Sequence, residues 1–152
     1  MKKLLLTSVA VAALVFSGCS KKTPEVDRTM SEGMTTAEQI QKSVQTVYFD
    51  FDKFSIRADQ KGAIVANAAL LKKDAASALT LKVEGNCDEW GTDEYNYALG
   101  LKRAKAVKDA LVKEGVKADR ISVVSYGESN KVCTDRTEAC DANNRRAELK
   151  ID

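Results

Sequence analysis

Residues 84–107 run from a glycine-bounded acidic loop (Gly85 to Gly91) directly into a helical pattern that carries a cation on its apolar stripe. Counting ~100° per residue puts Leu99, Ala106, Val107 and Ala110 on one face, with Arg103 among them. Any fold of this chain must therefore set an arginine against packed side chains, where an unpaired charge is very costly. The guanidinium calls for an anionic partner, from the protein or from a ligand, and the choice decides what the molecule does. Asp88, in the acidic loop, is the candidate within the protein. In one helix begun at Asp93, Arg103 lies ~15 Å along the axis, so meeting Asp88 requires the loop to fold back along the helix. A break at Gly100 would instead put Arg103 in a first turn. The continuous helix with a folded-back loop is the expected arrangement.

The chain opens with a targeting pattern. Lys2 and Lys3 precede an apolar run, Leu4 to Phe16, that is too short to span a membrane as a helix. Small residues then lead to Cys19, and the stretch from Val15 resembles a bacterial lipobox, with Phe16 where leucine is usual. Residues 1–18 are thus expected to be a lipoprotein signal, and Cys19 an acylated N-terminus carrying diacylglycerol and an N-acyl chain. An ordinary secretory signal is the alternative. One acyl chain holds only marginally, whereas several anchor stably. Ser20 and Lys21 follow the cysteine, without the aspartate that retains many lipoproteins in the inner membrane, so the outer membrane is the expected address.

Removing the signal takes away two lysines and no acid, and 22 acidic residues then face as many basic ones. A nucleic-acid partner would call for a basic excess. Of the remaining cysteines, Cys133 and Cys140 bracket a short polar segment in a compartment that permits disulfides. Closing that loop would stabilise the domain by ~2.5 kcal/mol on a chain-entropy argument; two free thiols are the alternative. Cys87 is left over. With no histidine and no Cys-x-x-Cys, neither a zinc site nor a redox centre is expected, and no cofactor.

Residues 19–44 read as the acylated cysteine and a flexible tether: polar, holding the only proline, and without a sustained period. A turn or two of helix at 36–44 would bury little alone. Residues 45–152 form one domain. Thr46 to Phe51, Leu79 to Glu84, Ile121 to Tyr126 and Arg146 to Ile151 read as strands. Ala58 to Lys73 and Asp93 to Glu114 read as helices, the second capped by Thr92 and stopped at Gly115. The order β-α-β-α-β-β implies an α/β class fold, an α+β sandwich with a mixed sheet and helices packed on it. The segment holding Cys133 and Cys140 reads as a long loop.

Asn96, Leu99, Gly100, Arg103, Ala104, Val107 and Leu111 together resemble the signature helix of OmpA-like peptidoglycan-binding domains. Residues 47–53, 83–92 and 143–147 are similar to three further blocks of that family, in order and spacing. With the lipobox, the chain resembles the family's lipid-anchored members. The resemblance implies a non-covalent clamp on the diaminopimelate residue of the peptidoglycan stem peptide. That residue ends in a free ammonium and a free carboxylate. In the family the loop Asp and the helix Arg are the main contacts, which fall here on Asp88 and Arg103. Asp88 would accept from the ammonium and Arg103 would hold the carboxylate as a fork. Phe51 and Asp52 would form part of the wall, with Asn144 and Arg145 as further contacts. The family also implies TolB and other Tol components as periplasmic partners, and a domain that faces the periplasm. Trp90 stands where an arginine is usual, and either packs over the ligand or covers core. Asn86, Cys87 and Asp93 depart from the family pattern as well.

Two rival readings exist. In one, Asp88 and Arg103 form only an internal salt bridge, and the protein is an interaction hub for a Tol protein. In the other, Asp88 and Glu89 are a hydrolytic pair. Adjacent residues in an extended loop usually point apart, whereas glycosidases need two facing carboxyls ~5–9 Å apart. No histidine serves a nucleophile either, so no catalysis is expected.

Overall fold

The computed structural model describes residues 34–152. The expected signal, Cys19 and the tether up to residue 33 lie outside the described residues. The elements are α1 (Thr36–Ser43), β1 (Val47–Tyr48), α2 (Lys61–Leu71), β2 (Leu81–Asn86), α3 (Asp93–Lys113), β3 (Ile121–Gly127), α4 (Glu138–Asn144) and β4 (Arg146–Ile151). The four strands form one mixed sheet in the order β1-β4-β2-β3. β2 and β3 run parallel, joined by α3 as the crossover, while β4 inserts antiparallel between β1 and β2.

Alternation along the strands sorts the two faces. Leu81 and Val83 of β2, Ala147 and Leu149 of β4 and Ile121 of β3 point to the core. There they meet Ile64, Ala68 and Leu71 of α2 and Ala104, Val107 and Leu111 of α3. Lys82, Glu84, Arg146, Glu148 and Lys150 take the opposite face and pair among themselves, Lys82 with Glu84 and both Arg146 and Lys150 with Glu148. This is the expected fold class.

α3 is one unbroken helix of 21 residues. Thr92 caps it by accepting from the Tyr95 amide, and Gly115, at φ 95°, stops it in the left-handed region. The glycine within it, Gly100, has a packing cause. A Cβ on Gly85 of β2 would stand 1.8 Å from the Gly100 carbonyl oxygen, and one on Gly100 would stand 2.3 Å from Ser125 Oγ. Helix and sheet therefore touch through backbone at this point.

Three differences from the sequence expectation have physical reasons. The first strand is two residues long rather than six, because side-chain amides replace main-chain partners around it. Gln60 accepts from the Tyr48 amide, and Asn67 both accepts from and donates to Gln45. Residues 36–43, assigned to the tether, form a helix that packs on the domain. Thr35 and Glu38 close a capping box, Ile40 is buried in the core, and Gln41 grips β4 by donating to Leu149 O and accepting from Ile151 N. Finally, the long loop contains α4, capped by Thr137. Cys133 and Cys140 are joined in a disulfide that ties the loop to this helix, with Cα atoms 5.4 Å apart.

Candidate ligand-binding site

Three segments converge at one end of the sheet: the loop after β1, the loop between β2 and α3, and the junction of α4 with β4. The pairing of β2 with β3 shifts register between Gly85 and Asn86, which bends the chain out of the sheet as the acidic loop begins. Cys87 N donates to Gly127 O, and Asn96 Nδ2 on α3 donates to Asp88 O. The loop is thus folded back along the first turns of an intact helix, as expected.

Arg103 is fully buried. Its Nε donates to Lys53 O at 2.9 Å, one Nη to Asn86 O at 2.9 Å and Cys87 Sγ at 3.3 Å, and the other to Asp50 O at 3.2 Å. The guanidinium lies 5.4 Å from the Phe49 ring centroid. Among the described residues no carboxylate comes within ion-pair distance of it. The internal salt bridge between Asp88 and Arg103, the rival reading above, is therefore absent. Carbonyl dipoles and a ring face solvate the cation instead. Burial pushes its pKa down, against the opposing field of Cys87 and Asp88. Cys87 is itself buried, and desolvation raises its thiol to about 11 despite the neighbouring guanidinium.

Asp88 is 3% exposed and pairs with Arg145, whose Nη1 donates to Oδ2 at 3.0 Å. Arg145 also donates through Nε to Phe49 O. Because it follows α4 and precedes β4, this side chain links the end of β1 to the acidic loop. Asp88 lies on a pocket of about 240 Å³ lined with Phe51, Asp52, Trp90, Gly91 and Tyr95. Asp52 adopts a left-handed conformation, φ 55°, and accepts from the Tyr95 hydroxyl. That bond raises the Tyr95 pKa. A second pocket, about 560 Å³, shares Phe51 and Trp90 with the first and extends over Arg145, Arg136, Glu138 and Asp141.

The structure thus brings together Asp88, Phe51, Asp52 and Arg145. It sets Arg103 behind the loop rather than in the lining. Asn144 does not join them: it is buried, accepts from the amides of Val132 and Cys133, and donates to Cys133 O, so it holds the disulfide loop. Trp90 covers no core. It is 58% exposed, and its Nε1 donates to Asp141 Oδ2 at 2.8 Å. Sequence reasoning missed Tyr95, Arg136 and Asp141. Tyr95 follows the helix cap by three residues, a signal within reach. Arg136 and Asp141 depend on α4, which was read as loop.

The OmpA family's sequence model matches residues 48–145. The chain is 42% identical over 149 residues to the peptidoglycan-associated lipoprotein of Pasteurella multocida, covering 98% of this chain and 97% of that one. It is 40% identical over 150 residues to the protein of that name from Haemophilus influenzae, covering 97% and 95%. Among solved structures, the peptidoglycan-associated lipoprotein from Burkholderia pseudomallei superposes with a TM-score of 0.67 at 40% identity, over 71% of this chain and 90% of that one. The C-terminal domain of Helicobacter pylori MotB superposes at 0.65 with 21% identity, over 72% and 84%, and shares the fold.

Proposed function

This chain belongs to the OmpA family, alongside the peptidoglycan-associated lipoproteins, and we propose from that membership that it is an outer-membrane lipoprotein that grips peptidoglycan non-covalently. It is a binding protein and not an enzyme. Lipid on Cys19 fastens one end to the outer membrane, residues up to about 34 are the leash, and the domain faces the periplasm and holds the wall. Two linked attachments act at high effective concentration, so neither needs to be tight. Association with TolB and other Tol components is proposed on family membership alone. A pull-down from periplasmic extract tests it, and recovery of no Tol protein would count against it.

The observation that carries the binding reading is a buried carboxylate and a buried cation with different partners. Asp88 opens on the small pocket, while Arg103 lies behind it without a carboxylate among the described residues. The diaminopimelate terminus of a stem peptide carries a group of opposite charge for each. Its ammonium takes Asp88 in exchange for Arg145, and its carboxylate meets the positive field of Arg103 and the released Arg145 fork. Phe51 and Asp52 wall the pocket. Asn144 is not a contact in this proposal.

Sedimentation with purified sacculi tests the site. Asp88→Asn, which keeps shape and removes charge, is expected to co-sediment at least tenfold more weakly than the parent chain, from loss of one charge-assisted contact. Undiminished co-sedimentation of a folded Asp88→Asn protein would remove Asp88 from the site.

A further inference from the structure

The small pocket, at about 240 Å³, lies below the ~300–1,000 Å³ range typical of sites that enclose a whole organic ligand. It suits the end of one side chain. The adjoining pocket, at about 560 Å³, lies inside that range and is continuous with the first across Phe51 and Trp90. A ligand whose charged tip sits at Asp88 must pass these rings, and both are more than half exposed. The bond from Trp90 Nε1 to Asp141 fixes the indole to α4, so one face is presented in a set orientation. Below it, the lining offers carboxylates at Glu89, Glu138 and Asp141 against guanidiniums at Arg136 and Arg145. Glu89 is paired with Lys131 at 3.2 Å and Asp141 accepts from the indole, so the lining carries no excess of either charge to select a second ionic group. A neutral ligand rich in hydroxyl and amide groups, with an apolar ring face, satisfies this lining.

We propose that the larger pocket is a saccharide subsite. A hexosamine ring of the glycan strand stacks on Trp90, its hydroxyl and acetamido groups bond to the carboxylates and guanidiniums below, and Phe51 separates it from the stem-peptide pocket. Trp90 thereby makes the domain sense whether the peptide is still attached to sugar. This inference rests on the peptidoglycan reading above.

Calorimetry on the full-length mature chain in detergent tests it with two probes, a muramyl stem peptide and the same peptide freed of sugar by an amidase. The parent chain is expected to bind the sugar-bearing probe about tenfold more tightly, the scale of one good stacking contact. Trp90→Ala should erase that preference, weakening the sugar-bearing probe about tenfold more than the free peptide, whose pocket Trp90 also lines. Trp90→Phe should retain part of it. Equal binding of both probes by the parent chain, or equal weakening of both by Trp90→Ala, would overturn the saccharide subsite and leave the stem-peptide site standing. Binding of neither probe by the parent chain would overturn both.

Discussion

Arg103 brings a full charge into the interior on three main-chain carbonyls and one thiol, and each carbonyl comes from a segment that shapes the site. It is a brace between the loop after β1 and the end of β2. Lysine has one ammonium where arginine has a fork, and cannot reach carbonyls from both loops at once. Arg103→Lys is therefore expected to lower stability by about 3 kcal/mol in urea unfolding and to weaken sacculus binding with it. The side chain's burial was legible in the helical stripe. Its partners were not, because main-chain acceptors carry no residue signature. Glu148 shows the same economy at the sheet surface. Burial pushes its carboxyl up, but hydrogen bonds and charges from Lys150 and Arg146 outweigh that and hold it below its ordinary value of 4.5. A depressed folded pKa gives stability that is present above the unfolded value and lost as pH falls through the folded one. Thermal melts of Glu148→Gln should accordingly lose less stability than the parent chain as pH drops below 4.5.

At the scale of elements, the contact of β2 with α3 sets how near the acidic loop can lie to the helix. Gly85 and Gly100 meet backbone to backbone, and Ser125 closes the gap from β3. Gly85→Ala is expected to cost about 3 kcal/mol or more, since the added carbon meets a carbonyl that cannot rotate away. A denaturant midpoint close to that of the parent chain would contradict this. The long helix, its cap and its stop were all legible, because Thr92 and Gly115 act locally. The length of β1 was not: Gln60 and Asn67 bond the main chain at and before it, and Gln41 bonds β4 groups beyond its short pairing. α4 was missed for a related reason. Seven residues are too few for a visible period, and a disulfide and the Asn144 amide hold the helix in place.

For the molecule as a whole, the folded domain includes α1. Ile40 is the buried anchor of that helix, so Ile40→Ala should cost about 2–4 kcal/mol, read as a lower thermal midpoint with ligand binding intact. The proposed membrane end and the proposed wall end are then mechanically in series, and α1 is the first link of the fold in line. The buried Ile40, packing on α2 and the two bonds of Gln41 to β4 hold it, whereas β4 is laced into the sheet on both sides. Tension applied from the N-terminal side peels α1 away before it strains the sheet. An eight-residue helix measures about 12 Å and the same chain drawn out about 27 Å, so each release adds roughly 15 Å of slack. A force trap pulling between residue 34 and the C-terminus should record that small step below the rupture force of the sheet. In the proposed tether, α1 would then serve as a fuse that yields before the sheet does.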